Sequence, residues 1–231
     1  MPRETRRTSE GHVLGPARPS PLSYDERQLR APRSRPAVTR AVRRPHDFYE
    51  TPRWQLEALL VRVALPPGTC VIEPCAGNGA LAVPLVDPHA YRVWANDLVE
   101  RPAYALDSRL DATQRESWEA IRRETPIQAV VANLPFSRAL PILALAVEFA
   151  PFVATILRRT WDEPTHDRGP WLAAHPCTGQ IVLPRHSYRG KGSDSTTTAW
   201  FVWDRAGWLR RPFGVVTKQE RDAWIARYGK D

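Results

Sequence analysis

The stretch Val71-Ile72-Glu73-Pro74-Cys75-Ala76-Gly77-Asn78-Gly79-Ala80-Leu81 restricts the possible folds of this chain more than any other. A short β-branched run enters a loop of small residues and leaves it as a helix-forming run. That is the strand–loop–helix junction at which doubly wound α/β domains hold a nucleoside. Glycines at 77 and 79 let the backbone come close to a ligand, and Asn78 tolerates the left-handed conformations of such turns. A helix starting near Ala80 points its N–H groups at a carboxylate or phosphate. The loop has neither the GxGxxG spacing of dinucleotide sites nor the GxxxxGK[ST] of P-loop NTPases, which disfavours both.

Strand-like and helix-like segments alternate around this junction. Thr51-Pro52 reads as a hydroxyl cap with proline at the first helical position, opening a helix over 52–63. Strands are expected over 69–73 and 91–95, with a helix over 80–86 between them. Leu110–Thr113 reads as the end of a short third strand, followed by a charged helix over 114–123. A strand over 128–132, a helix over 138–148 and a strand over 153–157 follow, then strands over 179–183 and 197–203. Residues 161–178 and 206–231 receive no element. The alternation predicts a doubly wound, mostly parallel seven-stranded sheet, covered on both faces and closed by a final hairpin, of the Rossmann-like type.

Charge separates a tail from this domain. Residues 1–45 hold eleven arginines against four acidic residues, so +7 of the chain's +8 lies there, with seven of the 23 prolines. Such a segment buries too little apolar surface to fold and reads as a disordered basic tail, leaving 46–231 as a single domain. It is either a phosphate-contacting arm or a solubilising extension. No apolar run reaches the length of a membrane span, and a soluble, cytoplasmic protein is expected. Cys70, Cys75 and Cys177 are odd in number and lack CxxC spacing, which argues against a disulfide framework. His166, His175, Cys177 and His186 fit no standard zinc spacing, and no metal is expected.

A second motif sits after the strand over 128–132: Asn133-Leu134-Pro135-Phe136. The Asn133 side-chain oxygen and the Leu134 carbonyl suit acceptance of hydrogen bonds from an exocyclic amino group, Pro135 fixes the turn, and the Phe136 ring suits stacking on a base. Asp97 lies about twenty residues past the glycines at a strand end, where a carboxylate meets ribose hydroxyls. Asp111 suits an adenine amino group, and Glu73 the amino-acid end of a cofactor. Between the last two strands, Arg185, Tyr188, Arg189 and Lys191 lie in a Gly-rich basic loop suited to phosphates and stacked bases.

Glu73 to Gly79 resembles motif I of class I S-adenosylmethionine-dependent amino-methyltransferases. His46-Asp47-Phe48-Tyr49-Glu50-Thr51-Pro52 resembles the N-terminal cofactor motif of small phage and prophage DNA adenine-N6 methyltransferases. The likeness spans about 47–203. It implies S-adenosylmethionine as cofactor, held by Tyr49, Thr51, Glu73, Ala76, Gly77, Gly79, Asp97 and Asp111, with Asn133 to Phe136 catalytic and DNA as substrate. Leu134 departs from the family's usual Asn/Asp-Pro-Pro-aromatic. Asn-Leu-Pro-aromatic is similar to ribosomal-RNA adenine dimethyltransferases, so RNA is the alternative polymer. A protein-amide methyltransferase or a non-catalytic binder are further alternatives. The short segments left over imply lax target recognition, or recognition supplied by a partner or oligomer.

Overall fold

Strands buried on both faces send alternate side chains into two different cores. Val71 and Ile72 of the first strand do this, as do Val130 and Val131 of the third. The computed structural model describes residues 50–186 and 197–229, all within the compact unit Arg43–Asp231. The 1–45 tail, Tyr49, Tyr188, Arg189 and Lys191 lie outside the described residues.

Seven strands make one sheet: β1 (Cys70–Glu73), β2 (Arg92–Ala95), β3 (Ala129–Asn133), β4 (Phe152–Arg158), β5 (Gly179–Val182), β6 (Thr198–Asp204) and β7 (Phe213–Val215), in the order β2-β1-β3-β4-β6-β5-β7. Only β6 runs antiparallel to its neighbours; every other pairing is parallel. The chain leaves β1 to form β2 on one side and β3 on the other. That reversal opens a crevice at the carboxyl ends of β1 and β3, where open α/β sheets bind ligands.

Helices α1 (Arg53–Leu60) and α2 (Ala82–Val86) join the core on one face through Trp54, Leu56, Leu59 and Leu85. Helices α3 (Arg115–Glu124) and α4 (Ala139–Phe149) cover the other through Trp118, Ile121, Ile142 and Leu143. Two further helices, α5 (Arg168–Ala174) and α6 (Lys218–Tyr228), occupy segments to which the sequence pattern assigned no element. Among the described residues no helix is long and apolar enough to cross a membrane.

The count of seven strands is met by a different set. Residues 110–113 form no strand, and only an isolated bridge joins Asn96 to Ser108. The seventh strand is instead β7, which pairs with β5 at the far edge. Thr51 does not cap α1: Pro52 is the N-cap, with no side-chain capping bond. The helix expected from Ala80 begins at Ala82, because 77–81 are spent in turns.

The buried Trp200 indole N–H on β6 donates to the Gln55 carbonyl at 2.7 Å, tying α1 to the sheet. Trp200→Phe removes that bond and leaves unfilled space, and should lower unfolding stability by about 1–3 kcal/mol in urea titration. Unchanged stability would show that the tether contributes nothing.

Candidate cofactor and base-binding site

The loop after β1 is shaped by its own backbone. Ala76 N–H donates to the Asn96 carbonyl at 2.9 Å, and Gly79 N–H to the Ala76 carbonyl at 2.8 Å. Gly77 takes φ +59°, which turns its N–H onto Asp97 Oδ2 at 2.9 Å. Asp97 Oδ1 accepts from Val99 N–H at 2.9 Å. Both carboxylate oxygens are thus aimed by backbone donors, and each keeps a lone pair for a further donor. A Cβ on Gly79 would lie 2.4 Å from the Tyr104 ring, so Gly79 makes room for that ring. Asn78 is hydrogen-bonded to Glu50, which joins the loop to the segment before α1.

Sequence reading missed Asn96, which is fully buried. Its Nδ2 donates to the carbonyls of Pro74 at 3.1 Å and Leu110 at 2.9 Å. Its Oδ1 accepts from Ser108 Oγ at 2.8 Å and Leu110 N–H at 2.9 Å. The only sequence signal was a polar residue at a strand end.

These segments wall a cavity of about 480 Å³, within the usual range for small-molecule sites. Glu73, Ala76, Gly77, Asp97, Asp111, Thr51, Asn133 and Pro135 line it; Gly79, Leu134 and Phe136 do not. Glu73 is buried, and its Oε2 has no hydrogen-bond partner. Burial pushes its carboxyl well above the ordinary range, the Ala82 N–H pulls the other way, and the charge of Asp97 adds to the rise. The neighbouring Cys75 thiol is raised by burial and then by Asp97, Glu73 and Asp111, which disfavours the thiolate. Asp111 is lowered, first by the Thr113 backbone N–H and hydroxyl and then by Arg138, which pairs with it at 3.5 Å. Its Oδ1 takes both Thr113 bonds, at 2.9 and 2.7 Å. An unpartnered carboxylate oxygen beside two further carboxylates suits a cationic, N–H-bearing ligand with hydroxyls.

Asn133 closes β3 at the lip of this cavity. Its Nδ2 donates to Thr51 Oγ1 at 3.0 Å, so the hydroxyl that reads as a helix cap holds the amide instead. Leu134 is buried in the core, and the half-buried Phe136 ring packs against that core. Arg158 lies over the Phe136 ring, 5.0 Å from its centroid. Arg185 is exposed just beyond β5. Among the described residues no group of three or more His, Cys, Asp or Glu could hold a metal.

No family model matches this sequence, and no curated protein does. Solved structures match in fold. The modification subunit of a proposed type I restriction enzyme from Vibrio vulnificus aligns with a TM-score of 0.53 at 12% identity, over 78% of this chain and 52% of that one. A proposed class I S-adenosylmethionine-dependent methyltransferase from Listeria monocytogenes gives 0.49 at 11% identity, over 75% and 68%. A proposed RNA methyltransferase from Pyrococcus horikoshii gives 0.45 at 14%, over 65% and 80%. The chain has a Rossmann-like fold, a mostly parallel seven-stranded sheet covered by helices, which it shares with the Vibrio vulnificus subunit.

The raised Glu73 carboxyl fixes a pH dependence of stability. Above the unfolded carboxylate value of about 4.3 the unfolded chain releases a proton that the folded chain retains, so stability falls as pH rises. Glu73→Gln carries no such penalty. Its melting temperature should exceed that of wild type by a margin that grows from pH 4.5 to pH 7.5. A margin that does not change with pH would contradict the assignment.

Proposed function

We propose that this protein transfers a methyl group from S-adenosylmethionine to the exocyclic amino group of adenine in DNA. The observation that carries the proposal is a single cavity whose wall holds Glu73, Asp97 and Asp111 and whose lip holds Asn133. S-adenosylmethionine, when bound, supplies an electrophilic methyl group on a sulfonium centre.

The chain's own residues supply binding and orientation. Asp97, already aimed by Gly77 and Val99, accepts from the two ribose hydroxyls. Glu73 offers its unpartnered oxygen to the ammonium end, which favours the ionised carboxylate once a cation is present. Ala76 and Gly77 give the loop its close approach, and Asp111, which lines the same cavity, is assigned the cofactor's adenine amino group.

At the other end, the target adenine nitrogen is a weak nucleophile because its lone pair is delocalised into the ring. The Asn133 carboxamide oxygen and the Leu134 carbonyl accept its two N–H groups, which favours a pyramidal nitrogen with an accessible lone pair. Pro135 fixes the turn that presents both acceptors, and Phe136 offers a ring for the extruded base. Holding the nitrogen in line with the methyl group then lowers the barrier through orientation. Asn133 and Thr51 work as a unit, the hydroxyl holding the amide that holds the substrate.

The basic residues support a polyanionic substrate. Arg185, with Tyr188, Arg189 and Lys191 close behind it in sequence, suits contacts to the nucleic-acid backbone. The 1–45 segment adds a sequence-independent contact. Target choice then falls to these residues and to a partner or second subunit.

Two variants separate the halves of the site. Isothermal titration with S-adenosylmethionine should show binding to wild type, weakened in Asp97→Ala by a few kcal/mol, the scale of hydrogen bonds to a charged group. Asn133→Ala should bind the cofactor as wild type does, yet fail to raise N6-methyladenine in the DNA of cells that lack adenine methylation. A mark found in RNA alone would move the substrate to RNA. Full activity in Asn133→Ala would remove the amide from the mechanism.

A further inference from the structure

The cavity beside Asn133 holds charges of both signs, with Arg101 and Arg138 among Glu73, Asp97 and Asp111. Toward β4 and β5 stand two exposed arginines, Arg158 closing β4 and Arg185 following β5. Neither forms an ion pair among the described residues, whereas Arg138 is paired with Asp111 and Arg159 with Asp162. Asn133 pairs in register with Ile156, so Arg158 stands two residues further along the adjacent strand. Its backbone is fixed by pairing with Thr198 and by the Trp161 N–H at 2.8 Å, which leaves the side chain as the part able to move.

Resting on the nucleic-acid reading above, we propose that Arg158 binds a backbone phosphate of the strand that delivers the target base, and that it leaves the Phe136 ring to do so. The guanidinium covers that ring. A cation over an aromatic face at an exposed site is a weak contact. A bidentate arginine–phosphate pair is stronger, and a base stacked on the vacated ring compensates its loss. The exchange keeps the ring covered until a nucleotide arrives and couples phosphate contact to opening of the base platform. Arg159 is instead engaged by Asp162 at 3.3 Å.

The test is the salt dependence of binding of the full-length protein to a fluorescently labelled, mixed-sequence DNA duplex, with RNA of the same sequence run alongside. Arg158→Ala should weaken binding and make the plot of log affinity against log salt shallower by about 0.9, the contribution of one phosphate. Arg158→Lys, which keeps the charge, should retain the slope. Arg122→Ala serves as the charge-matched control, since exposed Arg122 lies in α3 just ahead of β3, at the opposite edge of the sheet; its slope should equal that of wild type. Phe136→Leu should also keep the full slope, because the phosphate contact does not use the ring. A wild-type slope in Arg158→Ala, or equal losses in Arg158→Ala and Arg122→Ala, would overturn the phosphate contact. A lost slope in Phe136→Leu would overturn the exchange and show that the arginine works from the ring. Wild type that binds neither polymer would instead overturn the nucleic-acid reading itself.

Discussion

The site depends on one buried amide. Asn96 takes part in six hydrogen bonds: four through its side chain, to Pro74, Ser108 and Leu110, and two through its backbone, to Glu73 and Ala76. A side-chain amide has two donors and two acceptor lone pairs, and all four are used here. They join the loop after β1, the end of β2 and the 108–110 segment into one wall. Residues 110–113 form no strand, and the amide adds to the backbone bonds that join Asp107 and Ser108 to Ala95 and Asp97. Losing it would leave buried carbonyls unpaired, each a loss of about 1–3 kcal/mol.

That wall allows carboxylates to gather without a matching set of cations. Glu73 keeps an unpartnered oxygen in a buried position, which is unfavourable in the protein alone and favourable once a cationic ligand enters. Burial is the main cause that raises both the Glu73 carboxyl and the Cys75 thiol, and neighbouring carboxylates add to each. On the β4–β5 side Arg158 and Arg185 are exposed. A small cation on one side and a polyanion on the other would meet at Asn133.

Local chemistry made much of this legible. The 71–81 junction and the tetrapeptide at 133–136 are contiguous, and each lies where a buried strand ends, so both the crevice and its lining follow from sequence. Contacts between distant segments were not legible. Thr51 before Pro52 reads as a cap, but its hydroxyl meets an amide 82 positions away. Nothing local to Gly79 shows that the Tyr104 ring packs where its Cβ would lie. Helix α6 escaped notice because it buries no residue and so shows no apolar stripe. Its one local signal was present: Thr217 and Glu220 form a reciprocal capping box.

The central claim is that this cleft passes a methyl group from a sulfonium to an adenine nitrogen. The most direct measurement supplies S-adenosylmethionine deuterated in its methyl group to the purified protein together with DNA and RNA, then reads the digested nucleosides by mass spectrometry. The account predicts trideuteromethyl label on N6 of deoxyadenosine. Label on no nucleoside of either polymer, with the cofactor bound, would contradict it.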